Sequence, residues 1–297
     1  FAAILDRTPF YGETGGQVGD TGKLEGKGLD ITVTDTKLVE KVPVHICSIK
    51  EGKVKVGDKV KAAVDSQRRM AIARHHTATH LLQAALRKVL GAHVNQSGSL
   101  VAPDRLRFDF THFKPMSAEE IEAAESLVNE YIMKNAPLNV RVMDIDEAKK
   151  IGATALFGEK YDKKVRVVDV KEISKEFCGG THLGATGEIG LFKIMSEGSV
   201  AAGIRRIEAV AGEAAYGKIK ESEAILKEVA DSLAVKPAGL PAQIEALLAR
   251  VNDLEKKLKG LQSESVKEKA KELVSARELS DNNIYVVSKR LDGYAPD

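Results

Sequence analysis

The chain has no tryptophan, few other aromatic residues and only two cysteines among its 297 residues. Two cysteines, Cys47 and Cys178, are too few for a disulfide scaffold and are typical of a reducing, cytoplasmic compartment. No apolar run approaches the roughly 18 residues that predict a membrane span. The 45 Lys and Arg residues nearly balance the 43 Asp and Glu residues. The net charge of +2 excludes a strongly basic protein that coats nucleic acid, though not local basic patches.

Hydrophobic residues make up 43% of the chain, enough for two or three modules with cores of their own. The first residue is Phe1 rather than Met, and no signal-peptide pattern follows it. We therefore expect a piece of a longer protein.

Residues 1–65 have the pattern of an all-β module. Short runs such as Leu29–Thr34 and Val42–Ile46 alternate between apolar and polar residues, as half-buried strands do. Glycines separate these runs and suit tight turns. Many short strands joined by glycine turns predict a small β-barrel.

Residues 66–212 alternate between helical and strand patterns, which predicts an α+β domain. Ser66–Leu90 contains neither proline nor glycine, and Asp65 and Gly91 suit the two helix caps. A second helix is predicted over Ala118–Lys134, where Ser117 and Glu120 have capping-box spacing.

Residues 213–280 are rich in Glu, Lys, Ala and Leu, and they predict two helices with a break at Val235–Gly239. The second helix is predicted from Pro241 to Leu279. Its apolar residues step by three or four and form a coiled-coil seam: Ile244, Leu247, Val251, Leu254, Leu258 and Leu261. The pattern favours an antiparallel helical hairpin. A strand at Asn283–Ser288 would begin a further module, residues 281–297, that the chain does not complete.

Four side chains have the spacing of a metal site. His76 and His80 lie four residues apart on the first helix, so their imidazoles share one face. Cys178 and His182 are separated by two glycines and a threonine, which allows a tight turn. The histidine pair alone is a weak indication, and the second pair alone equally suits a buried structural cysteine beside a bonded histidine. Together they supply the four sulfur and nitrogen ligands that a tetrahedral Zn²⁺ site needs.

Two residues next to His76 limit the kind of metal site that the histidines can form. Thr77 follows His76, whereas a zinc-protease helix needs a glutamate there, so a peptidase is disfavoured. His75 is turned about 100° round the helix from His76 and is a poor co-ligand. We expect His75 to meet solvent, a carboxylate or nucleic acid instead.

The motifs resemble, in order, the editing region of the alanyl-tRNA synthetase family. The resemblance covers roughly residues 1–212 and departs at His75, where many members carry Asn. It rests on the segments Thr8–Asp20, Arg74–Leu82, His93–Leu100, Leu106–Phe110, Phe177–His182 and Gly203–Glu208.

The resemblance implies a small barrel followed by a zinc-containing α+β editing domain related to that of threonyl-tRNA synthetase. It implies hydrolysis of tRNA(Ala) wrongly charged with serine or glycine, with the aminoacylation core outside this chain. Thr14 and Gln96 match the family's pocket residues, and with Cys178 they are the expected catalytic set.

The expected nucleic-acid partner is the acceptor end of tRNA(Ala), and arginines near the zinc ligands are the candidate phosphate contacts. Arg68 and Arg69 could equally be ordinary charged residues on the solvated face of the helix. The candidates are Arg68, Arg69, Arg74, Arg205 and Arg206.

Three alternatives stay open. The chain could be a free-standing trans-editing deacylase, or a zinc-stapled module that binds tRNA without catalysis. It could also be an interaction protein that dimerises through residues 241–279. The seam spans only a few turns, so we expect a monomer.

Overall fold

The structure is a computed structural model that describes residues 1–154 and 162–275, with two further short strands at Glu278–Leu279 and Tyr285–Val286. It divides into two compact units, Phe1–Lys220 and Glu221–Asp297. The first unit holds residues 1–65 and 66–212 together, so the boundary predicted at residue 65 stays a prediction.

The N-terminal residues form an antiparallel five-stranded sheet around a small core of Phe10, Leu24, Ile31, Val33 and Cys47. Cys47 is buried there as a small apolar side chain. The strands β1–β5 are Ala2–Ala3, Gly22–Gly26, Leu29–Val39, Val42–Glu51 and Lys61–Val64. Their order is β1-β4-β3-β2-β5, and the described pairings leave β1 and β5 at opposite edges. The structure therefore shows a sheet here, and the predicted barrel is not shown.

Helix α1, Ser66–Leu90, follows this sheet and has the predicted bounds. The Asp65 side chain accepts a hydrogen bond from the Arg68 amide at 3.0 Å, which caps the first turn. Gly91 ends the helix with a φ of 120°, a conformation that favours glycine. The predicted helix is confirmed. It forms over these residues because both ends are capped and no glycine or proline interrupts it.

Residues 96–211 add a four-stranded and a three-stranded antiparallel sheet, with orders β11-β12-β7-β6 and β10-β9-β8. The strands β6–β12 are Gln96–Val101, Leu106–Thr111, Leu138–Asp144, Lys164–Val170, Ser174–Phe177, Phe192–Ala201 and Ile204–Ala211. The helices α2 and α3 are Ala118–Met133 and Ile145–Lys150. Ser117 and Glu120 form the predicted capping box of α2.

The main core lies between α1, α2 and the four-stranded sheet, as the α+β prediction requires. Leu82 and Leu86 of α1 pack in one cluster with Phe108, Phe110 and Ile207 of the sheet, all fully buried. Burial of such side chains contributes about 1.5–3 kcal/mol each, so this core holds α1 in a fixed position.

Helices α4, Glu213–Ser232, and α5, Leu240–Ser275, are joined by a short turn at Pro237–Gly239, as the predicted break requires. The predicted end of the second helix is wrong, because Glu278–Leu279 pairs with Tyr285–Val286 as a strand. The rest of the predicted strand Asn283–Ser288 lies outside the described residues. The α5 seam is 39–65% exposed from Ile244 to Leu261, so the packing expected of a helical hairpin is not shown.

No helix in the described ranges combines the length and the apolar character that crossing a bilayer demands.

His75 is buried at 1% exposure and cross-links α1 to β12. Its Nδ1 lies 3.0 Å from the Ala71 carbonyl oxygen, and its Nε2 accepts the Ala211 amide at 3.0 Å. These bonds need a neutral ring with its proton on Nδ1. Burial lowers the pKa of His75 to about 4 from its ordinary 6.5. The expectation that His75 meets solvent, a carboxylate or nucleic acid is therefore wrong, because both ring nitrogens bond to backbone groups in the interior.

We predict that His75→Asn makes the free energy of unfolding less dependent on pH on the acid side of neutrality. The unfolded state binds more protons than the folded state between pH 6.5 and about 4, so His75 weakens folding as the pH falls through this window. At pH 5 the wild-type free energy of unfolding should fall by about 2 kcal/mol more than that of the variant, relative to pH 7.5. Chemical denaturation at both pH values measures this difference, and equal losses in the two proteins would contradict it.

Candidate metal centre

The fold brings the four predicted ligands together. His76 and His80 project from one face of α1, and both are buried. Cys178 and His182 lie in the loop that follows β10, and both are partly buried. One ligand atom from each side chain lies within 4.8 Å of all the others. Elements far apart in sequence thus meet at one point.

The Cys178–His182 loop depends on a glycine at one position. Cys178 Sγ lies 3.2 Å from His76 Nε2 and 3.2 Å from His182 Nε2. A Cβ on Gly180 would overlap the His76 ring, whereas a Cβ on Gly179 would meet nothing within 4 Å. Gly180 therefore permits the close approach of the loop to α1.

Arg166 of β9 also bonds to the Cys178–His182 loop. Its Nη1 donates to the Cys178 carbonyl at 2.7 Å and to the Gly180 carbonyl at 2.8 Å. The Cys178 amide in turn donates to the Arg166 carbonyl at 3.0 Å. Arg166 was not predicted, because nothing in its spacing along the sequence links it to the loop.

A second layer of side chains faces the Nδ1 atom of each histidine. His76 Nδ1 lies 2.6 Å from Gln17 Oε1, and His182 Nδ1 lies 3.2 Å from Thr77 Oγ1. His80 Nδ1 lies 3.4 Å from Glu176 Oε2. Such partners fix the tautomer and orientation of metal-binding imidazoles.

None of these outer partners was predicted. Thr77 adjoins His76, and Glu176 precedes Cys178 by two residues on a strand that ends there. Gln17 lies inside the segment Thr8–Asp20 that carries the family resemblance. Adjacency to the ligands was the one pattern that could have found Thr77 and Glu176.

The electrostatics of the cluster favour the ligating protonation states of Cys178 and His182. Burial opposes the thiolate of Cys178, but the His76 and His80 charges and hydrogen bonds outweigh it and hold the pKa well below its usual range. Burial likewise opposes the charged form of His80, yet Glu176 and Cys178 raise its pKa to about 9, so His80 must release a proton when it binds a metal. Burial and the charge of His76 lower the pKa of His182 to about 3. A thiolate beside imidazoles is a soft donor set.

The residues present fit a metal ion such as zinc. Zn²⁺ binds thiolate and imidazole with bonds of about 2.0–2.3 Å, which places tetrahedral ligand atoms about 3.5 Å apart. The sulfur–nitrogen separations of 3.2 Å are close to that value. Cys178 supplies one sulfur and the three histidines supply nitrogen, a set that zinc prefers over Mg²⁺ or Ca²⁺.

A cavity of about 310 Å³ opens beside the cluster. Thr14 and Gln96, the predicted pocket residues, both line it together with His76, His80 and Cys178. Residues from the N-terminal turn, from β6 and from the metal cluster therefore share one chamber. Its wall also includes Tyr11, Thr79, Ser99, Lys164, Arg166 and Glu176.

The five predicted tRNA-contacting arginines all bond within the protein. Arg205 pairs with Glu197, with its Nη2 2.7 Å from Oε2, and Arg206 pairs with Asp109 through two bonds of 2.7 and 2.8 Å. The arginines of α1 donate to backbone carbonyls. Arg68 bonds the Gly19 carbonyl, Arg69 that of Pro9, and Arg74 that of Glu188. Arg69 also pairs with Asp20. None of the five lines the described cavity, so their contact with tRNA stays a prediction.

We predict that Gly180→Ala weakens metal binding at least about tenfold, because the new methyl group must displace the His76 ring. Gly179→Ala is the matched control, since the space around it is open and the backbone there needs no glycine. Zinc competition against a chromogenic chelator measures both affinities. Equal affinities for the two variants would show that the loop does not need its close approach to His76.

Two protein-family models match separate segments of the chain. Residues 2–68 match the family model of class II (A) tRNA synthetases. Residues 165–208, which include Cys178 and His182, match the second additional domain of threonyl and alanyl tRNA synthetases. His76, His80 and Gln96 lie outside both matched segments.

Alanine–tRNA ligases resemble the chain over nearly all of its residues. Identity is 50% over 292 residues to the ligase of Acetivibrio thermocellus and 50% over 294 residues to that of Shewanella amazonensis. It is 45% over 293 residues to the ligase of Idiomarina loihiensis. These alignments cover 98–99% of this chain and 33–34% of the relatives, so the chain spans about a third of their length. The chain therefore belongs to the alanyl-tRNA synthetase family and corresponds to a segment that includes the second additional domain.

Proposed function

We propose that this chain is the editing region of an alanyl-tRNA synthetase and hydrolyses the ester of Ser-tRNA(Ala) or Gly-tRNA(Ala). The observation that carries the proposal is the shared chamber, in which Thr14 and Gln96 stand beside the cluster of His76, His80 and Cys178. The match of residues 165–208 to a domain named for both threonyl and alanyl enzymes supports a zinc-containing editing domain of that kind.

The chemistry of the amino acids explains why such a site is needed. Serine is alanine with an added hydroxyl, and an apolar pocket rejects that addition by only about 10². A second site that bonds to the hydroxyl discriminates better, because alanine leaves its polar groups unpaired. Thr14 and Gln96 supply a hydroxyl and an amide at the cavity wall for this purpose.

Each residue of the chamber has a distinct task in this proposal. Thr14 and Gln96 bind the serine hydroxyl and orient the ester, while His76, His80, Cys178 and His182 hold Zn²⁺. Four protein ligands would fill a tetrahedral shell, so a zinc ion held there would orient the site, and it would bind the substrate amine or a water only where one of these ligands leaves the ion. Since an aminoacyl ester is intrinsically easy to hydrolyse, orientation of the ester and a water contributes much of the rate.

The substrate's nucleic-acid part is the acceptor end of tRNA(Ala). Lys164 and Arg166 line the cavity together with the carboxylates of Asp162 and Glu176, and we propose that the two cationic side chains contact the acceptor end. We propose that five partly buried arginines, which hold the surrounding loops and strands, meet the tRNA backbone further from the ester through the parts of their side chains that reach the surface: Arg68, Arg69, Arg74, Arg205 and Arg206.

A binding module without catalysis remains the alternative of a different class. In this alternative the metal site is the same, but Thr14 and Gln96 have no role in recognising a substrate. The two proposals separate on hydrolysis, because a binding module leaves Ser-tRNA(Ala) intact.

We predict that Cys178→Ala lowers the deacylation rate of Ser-tRNA(Ala) by at least roughly 10- to 100-fold, because the cluster loses its thiolate ligand. Cys47→Ala is the matched control, since Cys47 is the other cysteine and lies buried in the N-terminal core. Single-turnover deacylation with zinc quantified in each sample measures the effect. A metal-free Cys178→Ala protein that keeps the full rate would refute the role of the metal.

We predict that Thr14→Val separates the two substrates. Valine keeps the shape of threonine but removes the hydroxyl, and leaving a polar partner unpaired costs about 1–3 kcal/mol. Hydrolysis of Ser-tRNA(Ala) should slow about 5- to 150-fold, whereas Gly-tRNA(Ala), which has no side-chain hydroxyl, should be nearly unaffected. An equal loss on both substrates would show that Thr14 does not bind the serine hydroxyl.

A further inference from the structure

We infer that Gln17 is the positioning residue of the metal centre and that its side-chain oxygen presents His76 to the metal. The inference rests on the metal-binding part of the proposed function. Gln17 is fully buried, at 0% exposure, and belongs to the N-terminal part of the chain, which supplies none of the four ligands.

The hydrogen bonds of Gln17 define which atom faces the histidine. Its Oε1 accepts the Thr181 amide N–H at 2.9 Å, and an N–H can donate only to the oxygen of the side-chain amide. The same oxygen lies 2.6 Å from His76 Nδ1. That nitrogen must therefore carry a proton, so the neutral, metal-binding form of the ring has its lone pair on Nε2.

The free nitrogen points at the other ligands. His76 Nε2 lies 3.2 Å from Cys178 Sγ, on the side of the ring opposite the bond to Gln17. A neutral imidazole with its proton on Nδ1 is the form that binds a metal through Nε2. Gln17 thus selects the ligating tautomer and also fixes the plane of the ring.

A rigid turn delivers Gln17 to this position. Gly15 and Gly16 adopt φ angles of 58° and 81°, and the Gln17 amide donates to the Thr14 carbonyl at 3.0 Å. The turn is tied to β6, because the Val101 amide donates to Gly16 and the Val18 amide to Val101. A Cβ on Gly16 would overlap the Ser99 carbonyl, so the turn lies directly against the strand.

Gln17 differs from the other outer partners in what it joins. Thr77 lies on α1, which carries His76 and His80, and Glu176 lies on β10, which leads directly into Cys178. Gln17 is 59 residues from His76 and 164 residues from Thr181. One oxygen from the N-terminal part of the chain therefore bonds both α1 and the Cys178–His182 loop, which Thr77 of α1 also contacts at His182.

The test compares zinc affinities of the full chain by competition with a chelator. Gln17→Met keeps the size of the side chain but removes the acceptor, and it should weaken zinc binding about 10- to 100-fold. Gln17→Glu keeps an acceptor at the same place and should stay within about threefold of wild type. Gln83→Met is the matched control, since Gln83 is a buried glutamine on α1, and it should also stay within that range.

A spectroscopic readout separates positioning from loss of structure. Cobalt(II) replaces zinc and reports the ligand field, so Gln17→Met should change the visible spectrum while Gln83→Met leaves it unchanged. Wild-type affinity in Gln17→Met would overturn the inference. Equal weakening in Gln17→Met and Gln17→Glu, or in Gln83→Met, would also overturn it, because the effect would then come from packing.

Failure of this inference is distinguishable from failure of the proposed function. A wild-type chain that binds no zinc contradicts the metal-centred proposal itself. A wild-type chain that binds zinc and hydrolyses Ser-tRNA(Ala), beside a Gln17→Met variant that binds zinc equally well, contradicts only the role given to Gln17.

Discussion

The convergence of one thiolate and three imidazoles within 4.8 Å is the constraint on which the surrounding structure depends. A buried thiolate is costly unless positive charge or hydrogen bonds compensate for its lost solvation. The neighbouring histidines and the Gly180 amide, which donates to Cys178 Sγ at 3.4 Å, supply part of that compensation. A divalent cation at the centre would supply the rest, so the cluster is best understood as a site made for one.

Meeting this constraint requires separate parts of the first unit to hold fixed positions. The core under α1 fixes His76 and His80, and Arg166 fixes the loop of Cys178 by bonding two of its carbonyls. The N-terminal turn then contributes Thr14 to the cavity and Gln17 to the outer layer of the cluster. The proposed specificity and metal-binding roles are therefore coupled through the turn from Thr14 to Gln17, since moving it would alter both.

The sequence predicted features that local chemistry determines. The bounds of α1 follow from its caps and the absence of glycine and proline, and the ligand pairs follow from spacing along a helix and a glycine turn. Features set by tertiary packing were not predicted. Gln17 and Arg166 act on residues distant in sequence, and the bonds of Arg205 and Arg206 to carboxylates depend on strand pairing. His75 was placed wrongly because helix periodicity does not reveal that β12 covers that face.

The central claim is that this metal-lined chamber removes serine from tRNA(Ala) and spares alanine. The most direct measurement is single-turnover deacylation of Ser-tRNA(Ala) and Ala-tRNA(Ala) by the same preparation of the chain, with its zinc content determined. The account predicts one zinc per chain and faster hydrolysis of the serine ester. Equal rates on both esters, or an intact Ser-tRNA(Ala) in the presence of zinc-loaded protein, would contradict it.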